Sequence, residues 1–471
     1  MRLEAYLKDK LEFEGMIVDA GVRLAMSHAG GEWFTYDPFT KVFRGFQSYG
    51  ADTLLPQQST KYITNVMPRL NIAFPISENA KLYFNYGHFR SLPTPENLYL
   101  IRHENTTGDI VRLADPNLPL EKTVAYELGY EHNLFDMFLL RIAAYYKDIS
   151  NERYLVEHIG YGSVPDYTVS TANLYEDIRG FEITLRKNRG NWLQGFVNYT
   201  YSVGTSGHFG WPVYEQSQVD QINYELGNPP IQNVPIPQPY ARANLDFFTP
   251  PDFGPKFAGI DVFGDWRLSV LGSWNSGNYF TWVGGGSFPG VANNIKWTDT
   301  YSCDLRVSKN FQIGPANLQL FVDINNALNL KQMSHYGFYD ATDYTDYLMS
   351  LHLPGGWNAD GAPTGFDQYY GNIPGNDKPG DYRKAGVDYQ PMVFSANIKT
   401  ISSPYARPIY YDKITQQYYR WTNNQWTAAD PNEVNKVLSD KAYIHMPTQD
   451  WFTFLNPRDV YFGARISFDV F

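Results

Sequence analysis

The sequence predicts an all-β chain, an antiparallel transmembrane β-barrel with long extracellular loops, and three observations carry that expectation. Strands of period two recur from end to end, the links between them alternate short and long, and aromatic side chains are abundant without any long apolar run. The first is plainest in DVYFGARISFDVF, residues 459–471. Val460, Phe462, Ala464, Ile466, Phe468 and Val470 share one face, and Tyr461, Gly463, Arg465, Ser467 and Asp469 share the other, because side chains alternate along a strand.

The strands are expected near 2–13, 16–26, 63–74, 80–90, 122–132, 137–150, 177–187, 192–204, 239–249, 265–278, 300–313, 317–329 and 459–471. These thirteen are mostly long enough for the roughly 9 to 11 residues that a tilted strand needs to cross a bilayer. Their faces agree. In KTVAYELGYEH, Val124, Tyr126, Leu128 and Tyr130 oppose Ala125, Glu127, Gly129 and Glu131. In MFLLRIAAYYK, Phe138, Leu140, Ile142, Ala144 and Tyr146 oppose Arg141 and Lys147.

The links run EFEG, then 27–62; PISEN, then 91–121; HNLFD, then 151–176; KNRGN, then 205–238; TPPDFGPKFAGIDVFG, then 279–299; IGPAN, then 330–458. Short turns on one rim and long loops on the other are the pattern of an outer-membrane barrel, whereas a sandwich scatters long links over both ends. Residues 1–329 are therefore read as barrel strands with long loops, 330–458 as a large extracellular loop subdomain, and 459–471 as a closing strand. Within that loop a short helix is expected near 431–440, with Asp430 as cap, Pro431 in the first turn and a stripe of Val434, Val437 and Leu438.

Composition supports this. Aromatics make up 17% of the 471 residues, with 37 Tyr, 30 Phe and 11 Trp, while mean hydropathy is only −0.41. Alternating strands with aromatic girdles give that combination. No stretch approaches the 20 or so apolar residues of a spanning helix. The single cysteine, Cys303, excludes an internal disulfide framework and takes the apolar phase. A net charge of −11, without a basic stripe, speaks against nucleic acid as a partner.

Several segments resemble a known family: PRLNIAFPISENAKLYFNYGHFRSLPTPENLY (68–99), VAYELGYEH (124–132), GFEITLRK (180–187), DLRVSKNFQIGPANLQLFVDINNALN (304–329) and FLNPRDVYFGARISF (454–468). They are similar to the C-terminal barrel of TonB-dependent outer-membrane receptors, most of all the large Bacteroidetes-type receptors with an N-terminal carboxypeptidase-regulatory-like domain. The resemblance implies a 22-stranded barrel, as in large outer-membrane transporters. It also implies a plug domain, TonB as energy-coupling partner, a small or oligomeric nutrient ligand, and a place among the lipids of the bacterial outer membrane. A surface lipoprotein is a further partner it admits. Thirteen strands would leave an open edge in lipid, and counting rims back from a descending final strand puts Met1 on the extracellular side. The chain is therefore expected to be the C-terminal part of a longer receptor, with signal, TonB box, plug and about nine strands upstream.

The implied function is ligand capture and TonB-dependent import, with no catalysis and no cofactor. The alternatives are a non-transporting surface adhesin and a secreted carbohydrate-binding β-protein. Arg23, Glu127, Arg141, Glu182, Arg186, Asp304, Arg306, Asp323 and Arg465 are expected to face the lumen, either as a solvated wall or as contacts for the plug. The loop aromatics Tyr336, Tyr339, Trp357, Tyr410, Tyr411, Trp421 and Trp426 are the ligand-binding candidates, since ring faces among Asn, Gln and Asp suit sugars, peptides or aromatic chelates. Asp340, Asp343 and Asp346, three apart, would share a face on a helical turn as oxygen ligands for calcium, although the spacing fits no EF-hand.

Overall fold

In the computed structural model, the described residues are 1–13, 15–228, 235–257, 260–282, 293–333, 338, 340–351, 373, 375, 377–381, 392–439 and 457–468. Among them are thirteen strands of nine residues or more. They are β1 (Arg2–Phe13), β2 (Met16–His28), β3 (Tyr62–Ser77), β4 (Ala80–Ser91), β5 (Glu121–Leu134), β6 (Phe138–Ile159) and β7 (Tyr167–Lys187). There follow β8 (Trp192–His208), β9 (Tyr240–Phe248), β10 (Trp266–Asn275), β11 (Thr300–Ile313), β12 (Ala316–Asn325) and β13 (Asp459–Phe468). The chain divides into two units, Met1–Ala241 and Arg242–Phe471.

In the first unit β1 to β8 pair antiparallel, each with the next in sequence. The register stacks the two phases through the middle of the strands, its shifts lying at Pro75–Ser77 beside a turn and at Ser150–Tyr154. One row reads Leu11, Val18, Ile72, Phe84, Leu128, Ala144, Phe181, Tyr201 across all eight strands. The adjoining row, on the other face, reads Lys10, Asp19, Asn71, Asn85, Glu127, Tyr145, Gly180, Ser202. A one-residue slip in any strand would send its apolar set to the charged face. The apolar face is left open, with Leu128 at 57% exposure and Ile142 at 40%. So wide an uncovered apolar band signals an environment other than water.

The turns on one rim set the register. Between β5 and β6 both Phe135 and Asp136 take positive φ, 55° and 56°, the backbone of a tight hairpin turn whose twist matches the strands. At the other rim β6 and β7 extend far beyond the span expected from the sequence, so the predicted loop 151–176 is instead a paired hairpin with a link of only 160–166. A bulge at Asn151, with φ of 59°, marks where the added part begins. Beside it the loops after β2 and β4 fold over a core of their own, Phe34, Phe43, Ala51, Ile110 and Leu113, closed by Tyr167. These two links are packed structures.

In the second unit β10, β11, β12 and β13 pair antiparallel in that order. Leu268, Val307, Val322 and Phe462 form one apolar row, and Ser269, Arg306, Asp323 and Tyr461 lie beside it on the opposite face. Asp340 heads a helix, Ala341–Ser350, that buries Tyr347 and Leu348 against Trp282, Trp297 and Met333. Residues 392–439 add a small sheet: Met392–Ser395 parallel to Ile409–Asp412, then Gln417–Thr422 and Gln425–Ala428 antiparallel. The helix Pro431–Ser439 follows, with Asp430 accepting from the Asn432 amide at 2.9 Å.

Candidate functional site

The charged face carries its residues in braced groups. In the first unit Tyr83 Oη donates to Glu127 Oε1 at 2.8 Å, Arg141 Nε donates to Tyr83 Oη at 2.8 Å, and Arg141 Nη2 donates to Glu127 Oε1 at 2.9 Å. Lys81 pairs with Glu131 at 2.8 Å. The Tyr83 ring lies flat on Gly129, where a Cβ would sit 2.1 Å from the ring, and the Arg141 guanidinium is 5.4 Å from the ring centroid. Glycine is required beneath the ring because nothing larger fits. In the second unit Arg306 forks onto Asp323 at 2.5 and 2.7 Å, Phe321 lies over Gly463, and Arg306 stands 5.0 Å from the Phe321 centroid. A layered stack of arginine, aromatic ring and glycine thus occurs in both units, joining cation–π attraction to a bidentate or shared ion pair.

Within the first unit Arg23, Glu127, Arg141, Glu182 and Arg186 share one phase of the register, and within the second Asp304, Arg306, Asp323 and Arg465 do. Arg23 is ion-paired with Glu4, Arg186 stands 5.6 Å from the Phe196 ring, and Asp304 accepts from the Asn326 amide at 2.8 Å. Glu182 lies opposite Ala143 and Thr200, and Arg465 opposite Gln319. Sequence reasoning missed Arg267 and Asp246, a bidentate pair at 3.0 and 2.7 Å. Alternation alone would have put both on this face.

The loop candidates divide. Tyr336, Tyr339 and Trp357 lie outside the described residues. Tyr410 and Tyr411, adjacent in sequence, point to opposite faces of the small sheet and are both buried, at 3% and 8% exposure. On one face Ile409 meets Val434 and Val437 of the helix, with Tyr418 against them and Arg420 paired to Glu433 at 2.9 Å. Burial holds the Tyr418 hydroxyl protonated, its pKa pushed up to about 12. Among the described residues no helix packs on the opposite face. There Trp421 and Trp426 face each other across the turn at Asn423 and Asn424, both with positive φ, and their rings meet edge to face at 5.0 Å. Tyr410 packs on Trp426 at 5.0 Å from behind, and Tyr419 shares the face. Trp421 and Trp426 are half-buried, which leaves ring surface for a ligand.

The module hangs on one carboxylate. Asp412, 2% exposed, accepts from the Ile398 amide at 3.0 Å and from the amide and hydroxyl of Thr415 at 3.0 and 2.7 Å. Burial alone would raise its pKa, but these donors outweigh it and hold the carboxyl below the usual range. A depressed folded-state pKa gives stability that is present above the unfolded value of about 3.9 and lost as pH falls through the folded one. Acid should therefore loosen the module before the wall. Asp412→Ala is expected to cost it about 2–3 kcal/mol, read as earlier proteolysis within 392–439 while the strands stay protected.

Two of the three calcium candidates, Asp340 and Asp343, have described side chains at the head of the Ala341–Ser350 helix. Asp340 accepts from the Thr342 and Asp343 amides at 2.8 and 2.9 Å and so serves as a helix cap. Asp343 is buried at 1% exposure, and the Asp346 side chain is outside the described residues. Among the described residues no three His, Cys, Asp or Glu side chains gather to hold a metal ion.

The family profile described as "TonB dependent receptor-like, beta-barrel" matches residues 2–327, more than half of the chain. The chain belongs to the TonB-dependent receptor β-barrel family. An apolar face toward lipid and a charged face toward the lumen are what such a wall requires, and the protein is one of the bacterial outer membrane. Several solved structures are similar to the chain at low identity. The siderophore receptor PirA from Pseudomonas aeruginosa is 12% identical over 70% of this chain and 43% of its own, with a TM-score of 0.39. The copper transporter OprC is 14% identical over 71% and 44%, TM-score 0.41. The FrpB iron transporter from Neisseria meningitidis (F3-3 variant) is 13% identical over 70% and 41%, TM-score 0.41. The chain thus spans less than half the length of each. No curated protein sequence matches it.

Proposed function

We propose that this chain supplies wall and extracellular capture surface to an active importer of the outer membrane, in which a plug fills the lumen and TonB provides the force. The observation that carries the reading is the two-faced register shared by eight strands in a chain of this family. The charged groups braced on their aromatic rings are suited to grip and release a plug, because each is held in place without filling the lumen. Capture falls to the open aromatic face of Tyr419, Trp421 and Trp426, whose rings suit a sugar, a peptide or an aromatic chelate, the class of nutrient too large or scarce for a porin.

Two measurements test this. Uptake of the nutrient by cells carrying the protein should cease when TonB is removed; uptake or adhesion that persists unchanged would favour a surface-interaction role. Replacing Trp421 and Trp426 together by alanine should weaken binding of the purified protein to its best ligand in a panel of oligosaccharides, peptides and ferric chelates by about tenfold or more, since each lost stacking contact is worth about 0.5–1.5 kcal/mol. Undiminished binding would move the capture surface elsewhere.

A further inference from the structure

Among the described residues of β10 to β13, a single cation stands on the apolar phase. Lys309 lies on the apolar phase of β11, in line with Leu305, Val307, Phe311 and Ile313, and its register partners are Trp266 and Leu320. An ammonium group turned to lipid is destabilising unless it is near the interface or shielded. Here it is shielded: Lys309 is 7% exposed, and its Nζ donates to the carbonyl of Asp261 at 2.7 Å and to that of Gly264. Both acceptors belong to the long turn between β9 and β10. That turn therefore folds back over the apolar face.

It is held there firmly. Thr249 Oγ1 donates to the Phe263 carbonyl at 2.6 Å and accepts from the Trp266 amide at 3.0 Å. Trp266 Nε1 donates to the Val262 carbonyl at 2.8 Å, and the Asn310 amide to the Asp265 carbonyl at 3.2 Å. Gly264 is pressed so close to Pro251 that a Cβ would lie 1.9 Å from the Pro251 carbonyl oxygen. The depth follows from the register. Strand β10 starts at Trp266, opposite Lys309, but β11 runs on to Ile313, and its apolar phase continues across the next strands as Phe311, Leu318, Ile466 and then Ile313, Ala316, Phe468. Ile313, Ile466 and Phe468 are 59%, 61% and 65% exposed. The apolar band thus extends beyond Lys309, and the turn lies alongside its last rows.

The turn is apolar where it is exposed. Phe257 is 78% open, Phe263 53% and Val262 41%, next to a Lys256 that pairs with Asp261 at 3.4 Å. We propose that residues 249–257 and 260–265 form a lipid hook, pinned to the outer wall by Lys309, which seats Phe257, Val262 and Phe263 at the boundary between phospholipid headgroups and acyl chains. Bilayer lipid is the occupant because the patch continues the band that already faces the membrane. Aromatic rings with one wet side favour that depth. The inference rests on the wall being embedded as described above.

The test uses the full chain with Cys303→Ser, a spin label on Phe257→Cys, and vesicles of phosphatidylethanolamine and phosphatidylglycerol. A second label on Leu320→Cys reports the wall itself, and Val262→Cys replaces Phe257→Cys if the latter does not fold. The label at 257 is expected to collide several-fold more with oxygen, relative to a water-soluble nickel chelate, than a label on Tyr405→Cys in the loop module. Lys309→Met should release the turn, seen as a more mobile label with greater chelate access at 257. Chelate access at 257 equal to that at 405, with 320 still favouring oxygen, overturns the hook and leaves the wall intact. Chelate access at both 257 and 320 overturns the embedded wall and the hook together.

Discussion

Leu128→Arg is expected to destabilise the membrane-inserted protein by about 2–4 kcal/mol, the cost of a cation on the lipid face near mid-depth. Leu128 sits in the middle of the apolar row, between Phe84 and Ala144 in register, and is 57% exposed. In a water-soluble sheet a residue so open would accept arginine almost without penalty. The opposite face provides the control. Asn85→Lys places its ammonium directly across from Glu127 and is expected to be neutral within about 0.5 kcal/mol. Denaturant unfolding of both variants in lipid vesicles gives the comparison, and equal effects would refute the assignment of the two faces.

One residue along β5 the expected result depends on shape. Gly129→Ala puts a methyl where the Tyr83 ring lies, so the ring must lift and its bonds to Glu127 and Arg141 part. A loss of about 1–3 kcal/mol is expected, as for other overpacked sites. The cause can be isolated by a double-mutant cycle. In a Tyr83→Ala background the same substitution should cost about 1 kcal/mol less or become favourable, because the clash has gone and glycine in a strand is itself unfavourable. Tyr83→Phe keeps the ring while removing the hydroxyl, and there Gly129→Ala should remain costly. Additive effects would show that the ring does not rest on the glycine.

How much of this was legible in the sequence differs from part to part, and the reasons are physical. Within the membrane one face meets lipid and the other water, so period two is imposed on residues such as 124–131, and both strands and faces could be read directly. Above the membrane both faces are wet. The hairpin of Glu152–Ile159 and Tyr167–Glu176 keeps its backbone pairing but loses alternation, which is why YGSVPDYTVSTANLYED reads as loop. The layered arginine, ring and glycine stacks were hidden for another reason. Gly129 and Tyr83 are neighbours only through register, a long-range property that no local pattern encodes. In the loop module the Asn423–Asn424 turn between two tryptophans is visible locally, whereas the opposite fates of the two sides, one under a helix and one open, depend on Val434 and Val437 arriving from further along the chain. Lys309 was legible as an anomaly of phase. What shields it was not, since the carbonyls of Asp261 and Gly264 carry no side-chain signature.

The unequal rims also imply two tempos of evolutionary change. Lengthening a surface link adds closure entropy only logarithmically, about 0.6 kcal/mol for each doubling, so the packed links after β2 and β4 can gain whole modules while the strands below them hardly notice. The opposite rim has no such freedom. A single inserted residue at Phe135–Asp136 would shift β5 against β6 and turn Leu128 toward water and Glu127 toward lipid. Descendants of this chain should therefore diverge by insertion at one end and by point substitution alone at the other, changing what is recognised without disturbing the wall that holds it.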